Sequence, residues 1–580
     1  MKPSPNHYLL GIGRRDPSRV AVAYKAQGQW IRLNWVEYEK QIHLLASCLL
    51  HHGLRRGDRI AIMSNTRYEW SLCDWACLGL GLVVVPIYSN SSQDDISYII
   101  EDSKSCFIFC ESDLQKKMLL EMTGLPNEKI ISFQSDFAPF LLTGEKGLIP
   151  NRKTFQESCE STSPEVLATL VYTSGTTGQP KGVMITHRQI LSEVTEAFQY
   201  VGVVESDRSL SLLPYSHILG RVEQWGNLII GFEMYFAESI ERVRSNLIEV
   251  RPTIMVAVPR IFEKIYVALL SQLEASPAKS KIFSLALDVG KKVSQHKQKR
   301  SPLPPLLFAK YKIAKRLVLN KINLAFGGRL RFAVSGGAPL SKEICEFFHA
   351  CDLLLLEGYG LTETTAAVCV NAPHDYAFGT VGKPLPDVQI KFAEDGEILI
   401  KSAKVMTGYY NQSEETAQVL EQGYLHSGDI GQRLPSGHIQ ITDRKKDLIK
   451  TANGKYVAPQ KLEILLSLHP FVSHALIHGD QRKYVVALIS PHLLELKKFA
   501  EQRGLSLDIR TLLQEKSIQD VFKNHLAQVN SQLASHEAIK RFQVLENEFT
   551  IESGELTPSL KIKRRLCEKK YKNELDRLYN

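Results

Sequence analysis

An apolar run, Val166-Leu167-Ala168-Thr169-Leu170-Val171, passes without a break into Tyr172-Thr173-Ser174-Gly175-Thr176-Thr177-Gly178-Gln179-Pro180-Lys181-Gly182. The first segment reads as a buried strand, too short and too uniformly apolar for an amphipathic helix. In the second, three glycines, four Ser or Thr hydroxyls and one lysine fall within eleven positions. Glycines let the backbone turn and approach a ligand closely, and successive amides in such a turn form an anion-binding concavity. With the hydroxyls and the lysine, the expected guest is a polyphosphate. The ordinary P-loop places Ser or Thr directly after its lysine; here Gly182 follows Lys181. As a piece of chain, the segment otherwise reads as a surface loop leading from a strand into a helix.

The same strand character recurs along the chain. Asp58–Met63, Leu82–Ile87 and Cys106–Cys110 alternate with helical patterns between residues 30 and 170. The alternation resumes between 185 and 375, with strands at Thr253–Val258 and Leu330–Val334. Such alternation predicts parallel sheets covered by helices on both faces. From about 380 to 442 the pattern turns to short strands and tight turns such as Asp395-Gly396 and Pro435-Ser436-Gly437, predicting a small β-rich unit. Beyond 443 the chain is mixed α+β and basic at its end. A length of 580 residues exceeds what one hydrophobic core organises. The expectation is an α/β protein: a large domain over 1–442, made of two doubly wound subdomains plus the β-rich unit, then a small mobile α+β domain over 443–580.

Composition narrows the class. Apolar residues make up 44% and charged residues 23%, ordinary for a globular chain. The start, Met1 to His7, has no apolar signal-peptide core, and the longest uncharged apolar run, Trp75–Ile87, is too short to span a bilayer. The ten cysteines form no disulfide framework; Cys73/Cys77 and Cys106/Cys110 fall in helix-like and strand-like segments and read as buried thiols rather than zinc ligands. A cytoplasmic protein is expected. The net charge of +9 is concentrated: residues 291–321 hold ten Lys or Arg and no acid, with Leu307, Tyr311, Ala314 and Val318 at helical spacing. That segment fits an anionic membrane surface, giving possible peripheral contact, or a solvated flank. Sparse aromatics and the absence of a nucleic-acid motif argue against a nucleic-acid partner.

Further motifs, in order, resemble those of the adenylate-forming (AMP-binding) enzymes, and 172–182 resembles their phosphate loop. Glu357-Gly358-Tyr359-Gly360-Leu361-Thr362-Glu363-Thr364-Thr365 is similar to the segment whose tyrosine stacks on adenine, whose threonine touches phosphate and whose glutamate holds Mg²⁺. Ser335-Gly336-Gly337-Ala338-Pro339 resembles the loop against adenine, and Tyr424–Asp429 supplies Asp429 for the ribose hydroxyls. Asp443-Arg444-Lys445-Lys446 resembles the interdomain hinge, with Asp443 as pivot and Arg444 on ribose or phosphate. The loop Thr451–Pro459, with Gly454, resembles the piece that swings toward the pantetheine channel.

Leu556-Thr557-Pro558-Ser559-Leu560-Lys561-Ile562-Lys563 resembles the motif of the catalytic lysine, which implies Lys561, with Lys563 the other lysine of the segment. Many relatives carry glycine where Leu560 stands. Leu212–His217 and Val258–Tyr266 resemble the long-chain fatty acyl-CoA synthetase branch; His217 reads as a substrate-binding candidate lining the acyl pocket or as a core histidine at a strand end. The resemblance implies ATP, Mg²⁺ and coenzyme A. It assigns nucleotide contacts to Thr173, Ser174, Gly175, Thr176, Thr177, Gly178, Lys181, Gly336, Gly337, Ala338, Tyr359, Gly360, Asp429 and Arg444. Metal falls to Glu363 and Thr177, and chemistry to Lys561, Glu363 and Thr362. The implied reaction activates a fatty acid as its adenylate and passes it to coenzyme A. An acyl carrier protein as acceptor, and a medium-chain or aromatic acid as substrate, remain open.

Overall fold

The structure is a computed structural model that describes residues 4–145, 147–173, 179–274 and 277–580. Two large sheets carry the first part of the chain. In one, strands Leu355–Leu361, Phe332–Ser335, Ile254–Ala257, Arg208–Ser211, Glu233–Phe236 and Val20–Ala26 run parallel in that spatial order, and antiparallel strands extend both edges. In the other, Leu167–Thr173, Val83–Ile87, Arg59–Met63, Phe107–Cys110 and Ile130–Ser132 are parallel. The predicted strands are therefore in place to within two or three residues.

The loop after Leu167–Thr173 departs from expectation at its far end. It returns as an antiparallel strand, Lys181–Thr186, rather than entering a helix. The strand Lys181–Thr186, buried at Gly182, Val183, Ile185 and Thr186, was hidden by its glycine and lysine, which read as loop. Helix His187–Val201 follows only after this strand.

One continuous core joins the sheets, drawing on Val22, Met234 and Phe236 from the first and Ile60, Val84 and Val171 from the second. Helices Tyr68–Gly79 and Ile218–Ile230 lie within it and are buried on nearly every face. Even their charges are covered: Arg221 pairs with Asp74, both fully buried, and donates to Thr169 Oγ1 at 2.6 Å, while Trp225 Nε1 donates to Asp74 Oδ2 at 2.9 Å. These partners meet much of the hydrogen-bonding capacity that a buried pair must satisfy, although Arg221 Nε has no partner among the described residues.

The third unit is antiparallel, with strands Gln389–Phe392, Glu397–Lys401, Tyr424–Arg433 and Ile439–Arg444 and the short Leu420–Glu421. Its turns use Gly396 and Gly437, both at positive φ. Beyond it, strands Val472–His478, Val485–Pro491 and Ile539–Val544 form a small mixed sheet flanked by helices, with its own core around Leu462, Ile477, Leu496 and Phe522. All ten cysteines are unpaired, nine of them buried.

The basic segment also differs from expectation. Leu307 and Val318 pack against the core and Tyr311 and Ala314 are buried, so the stripe read as a membrane face points inward. The periodicity was correct, but burial and membrane contact produce the same pattern in sequence.

Candidate active site

The phosphate loop is anchored at both ends. Thr173 pairs with Lys181 across the hairpin, and the Thr173 hydroxyl lies 3.5 Å from the Lys181 carbonyl it donates to. Ser174, Gly175, Thr176, Thr177 and Gly178 lie outside the described residues. At the loop's end, the Lys181 ammonium stands 5.1 Å from the centre of the Tyr409 ring. Tyr409 is fixed there because Gly408–Tyr409 adds an edge strand to Lys181–Thr186, pairing Tyr409 with Val183. Its hydroxyl donates to Glu363 Oε1 at 2.8 Å. Tyr409 thus ties the loop lysine to the glutamate, a role that no spacing in the sequence singled out.

Glu363 lies in a single 3₁₀ turn, Thr362–Thr364, immediately after strand Leu355–Leu361. The chain then reverses through Thr365 and Ala366, both at positive φ. This fold-back forces glycine at 360: a Cβ there would come within 1.4 Å of the Ala366 carbonyl oxygen. The turn is clamped from beneath. Lys404, fully buried, donates to the Ala367 carbonyl at 2.7 Å and contacts Glu193 and Glu196 at 3.2 and 3.4 Å. Glu193 accepts from the Ala367 amide, and Thr365 Oγ1 donates to the Lys404 carbonyl. Burial pushes the Glu193 carboxyl up to about 7 in spite of Lys404. Thr362 is half-buried at the head of this turn. Glu363, half-buried with one tyrosine hydrogen bond, suits a hard cation that keeps most of its water.

Across the cleft, Tyr359 donates to Asp429 Oδ2 at 2.7 Å, and Arg444 Nε lies 3.3 Å from Asp429 Oδ1. Burial raises the Asp429 carboxyl, opposed by Arg444, Tyr359 and Lys561. Gly337, at φ +81°, and Ala338 are exposed, and Gly336 is buried with its amide on the Ala257 carbonyl. A Cβ on Gly337 would lie 3.9 Å from His217 Cε1, so the His217 ring borders this loop. His217 Nδ1 accepts from the Leu219 amide and caps helix Ile218–Ile230. Burial, with Lys561 next, pushes its imidazole down to about 4 and keeps it neutral.

Lys561 enters from the far end of the chain. Its loop is closed by the Thr557 amide on the Lys561 carbonyl at 2.8 Å and the Lys561 amide on Thr557 Oγ1 at 3.1 Å. Asn90 reaches the Pro558 carbonyl, and Arg260 donates to the Ser473 carbonyl at 2.9 Å, docking the terminal unit on the large one. The Lys561 side chain keeps access to solvent, yet the surrounding walls strip water from its ammonium. That burial, reinforced by Arg444 and opposed by Asp429 and Glu363, pushes it down to about 8. Lys563 instead occupies the position just before helix Arg564–Lys570, where its side chain makes no capping hydrogen bond. Gly454, exposed at φ +73°, lies in the hairpin of Ile449–Lys450 and Tyr456–Val457, whose hydrogen bonds are local or run to Gln481 and Arg482. It is not brought to the cleft.

Two family models cover almost the whole chain: AMP-binding enzyme over residues 12–410 and AMP-binding enzyme C-terminal domain over 446–580. The chain belongs to the AMP-binding enzymes. Among curated relatives of this AMP-binding enzyme is a long-chain-fatty-acid–CoA ligase of Mycobacterium tuberculosis, 34% identical over 98% of this chain and 95% of that protein. Human long-chain-fatty-acid–CoA ligase 1 is 29% identical over 94% and 82%. Among solved structures, the adenylation domain of a Mycobacterium chelonae carboxylate reductase superposes with a TM-score of 0.75 at 23% identity, covering 100% of this chain and 91% of that one. The o-succinylbenzoate CoA synthetase of Bacillus subtilis, solved with ATP and magnesium ion, gives 0.66 at 22% identity over 96% and 98%. These two structures share the fold.

Proposed function

We propose that this enzyme is an AMP-forming long-chain fatty acid–CoA ligase with ATP, a fatty acid and coenzyme A as substrates. The observation that carries the reading is the convergence of Lys561, Glu363, Asp429 and Arg444 on one cleft from well-separated segments of the chain. The long-chain specificity follows the relatives' names. In the first step a carboxylate oxygen bonds to the α-phosphorus of ATP while the bond to pyrophosphate breaks. Both reactants are anions, so positioning and charge neutralisation supply most of the catalysis. Lys561 places one positive charge where carboxylate and α-phosphate meet, and Asp429 and Tyr359 hold the nucleoside end. Thr362, Thr173 and Lys181 steady the departing phosphates. Mg²⁺, when bound at Glu363, neutralises polyphosphate charge. Neutral His217 lines the acyl side next to Gly337 without repelling or trapping the acid. In the second step the thiol sulfur bonds to the acyl carbon, AMP leaves and the thiol proton is released.

Lys561 and the thiol need the same space, which gives the terminal unit reason to turn. We assign the units to 1–442 and 443–580, with the pivot at Asp443. That residue is 2% exposed, and its Oδ2 lacks a hydrogen bond among the described residues. Turning there would deliver the Gly454 hairpin to the cleft. No helix among the described residues is long and apolar enough to cross a membrane; we place the enzyme in the cytoplasm, working against a membrane face. ATP–pyrophosphate exchange across acids from hexanoate to stearate and benzoate, followed by addition of coenzyme A or acyl carrier protein, tests the reading. Exchange should peak with the long acids and thioester should form on coenzyme A. A maximum with benzoate, or acylation of the carrier alone, would overturn it.

A further inference from the structure

Residues 305–325 form one unbroken helical rod: Pro305–Ala314, a π segment Lys315–Leu319, and Asn320–Ala325. Its inner side, with Tyr311, Ala314, Leu319 and Ile322, is buried in the core. Its outer side is not the polar surface that a solvated flank requires. Leu306 (69% exposed), Ile313 (62%), Leu317 (60%) and Leu324 (53%) all face solvent. The first three recur at intervals of seven and four residues, the spacing of one helical face. Exposed Lys310 and Lys321 fall in the same progression, and Arg316 adjoins Leu317. Lys312 lies 4.7 Å over the ring of Phe308, itself 45% exposed.

The charges divide in a revealing way. Lys297 and Lys315 are both paired with Asp352, which anchors the rod to the body. Lys310, Arg316 and Lys321 have no acidic partner among the described residues. Between Asp288 and Glu343 the sequence has no acidic residue. Four large aliphatic side chains exposed along one helix, rimmed by unpaired cations, exceed the scattered apolar surface of a soluble monomer. An acidic protein surface would satisfy the cations but not the leucines; a second copy of this face would bring cation against cation. A bilayer rich in anionic lipid satisfies both, with aliphatic side chains in the acyl boundary and Lys or Arg stems snorkelling to the headgroups.

We infer that the outer face of 305–325 is a docking surface for an anionic lipid bilayer, with Leu306, Ile313, Leu317 and Leu324 entering the membrane and Lys310, Arg316 and Lys321 contacting headgroups. This deepens the proposed lipid ligase by naming where it meets its substrate reservoir. The face is separate from the catalytic residues and supplies fatty acid by residence at the surface.

The full chain, without substrates, is sedimented with vesicles of phosphatidylcholine alone or with a third phosphatidylglycerol. Binding should require phosphatidylglycerol and weaken with salt. Leu306→Ser/Ile313→Ser/Leu317→Ser and, separately, Lys310→Glu/Arg316→Glu/Lys321→Glu should each lower partitioning by about tenfold or more. Both should keep the wild-type melting profile and ATP–pyrophosphate exchange with octanoate; Leu317→Ser alone, expected to give a smaller loss, replaces either triple variant that misfolds. Equal binding to neutral vesicles, undiminished binding by the variants, or no binding by wild type would overturn the inference. So would a wild-type dimer that becomes monomeric in the leucine variant without lipid. Because no reaction is read in the sedimentation, its failure leaves the ligase reading standing, and failure of exchange leaves the docking result standing.

Discussion

Lys404 supports the turn that carries Glu363 and Lys561 comes near Glu363 from the terminal unit, and the protein treats them in opposite ways. Lys404 is fully buried and surrounded by two carboxylates and a backbone carbonyl. Lys561 reaches solvent, has no ion pair among the described residues, and loses water to its surroundings. A cation whose partners all belong to the protein is part of the scaffold. A cation held near carboxylates and an arginine without being neutralised by any of them is held for a ligand. The difference separates the residue that shapes the site from the one we propose to act in it.

The strongest way to break that distinction is to remove the scaffold charge. Lys404→Met leaves Glu193 buried beside Glu196 and withdraws the donor to the Ala367 carbonyl. Removing one partner of a buried pair costs about 3–5 kcal/mol, so urea unfolding should show a loss of that order. Glu193→Leu added to Lys404→Met should recover part of it, because two apolar groups no longer strand a charge. A loss under about 1 kcal/mol for Lys404→Met would mean that the cluster is not what holds the Glu363 turn.

Lys561→Ala should do the converse: stability held or raised near neutral pH, because the charged ammonium is disfavoured where it stands, but a drop of about 10²–10³ in adenylate formation, the usual consequence of removing one group that stabilises developing charge. Thioester formation from supplied acyl-adenylate should be spared. Lys563→Ala should leave both half-reactions intact, since the Lys563 side chain makes no hydrogen bond or ion pair among the described residues. Equal loss of both half-reactions in Lys561→Ala would return Lys561 to the scaffold class.

Legibility from sequence followed the same division. The parallel strands were readable because a strand covered on both faces is an unbroken apolar run. The residues proposed to face the ligands were readable as candidates because Tyr359, Glu363, Asp429 and Lys561 each lie in a motif with its own composition. What supports them was not. Lys404 lies in Ser402-Ala403-Lys404-Val405 and Glu193 mid-helix, and each alone resembles a solvated charge. They meet only because strand Ala366–Val370 is laid across helix His187–Val201. Tyr409 was missed for the same reason, its significance arising from edge pairing with Lys181–Thr186. The basic segment shows the limit of periodicity: the inward stripe and the outward leucines share one helix, and only burial tells them apart.

A third prediction uses pH. Burial lowers Lys561 to about 8 from its ordinary 10.5, so the ammonium needed for adenylation is lost as pH rises through about 8. In kcat/KM, which reports the free enzyme, adenylation should fall across that range while the thioester step from supplied adenylate does not share the limb. Unfolding does not explain such a fall. Between about 8 and 10.5 the unfolded chain holds the proton that folded Lys561 has given up, so this group makes stability rise with pH there. Adenylation that holds level to pH 10, or a fall shared by both steps, would remove the special environment claimed for Lys561.

The smallest effect concerns the residue just before that lysine. Leu560 has φ +61°, in the left-handed region that favours glycine, and its side chain is 53% exposed with no buried contact to repay the strain. A leucine there costs on the order of 1 kcal/mol in backbone strain, while glycine adds freedom to the unfolded chain. The two terms nearly cancel in global stability, so Leu560→Gly should change the unfolding midpoint little. The kinetic consequence differs, because the strain is local to the loop closed by Thr557 and Lys561. Leucine narrows the conformations open to that loop, and glycine widens them. Leu560→Gly should therefore lower adenylation a few-fold through Lys561 placement, with KM for ATP nearly unchanged, and Leu560→Asn, which tolerates the left-handed region, should lie between. If glycine instead raises adenylation, the strain opposes the seating of Lys561, and the loop at this position is held against its preference by its hydrogen bonds to Thr557 and Asn90.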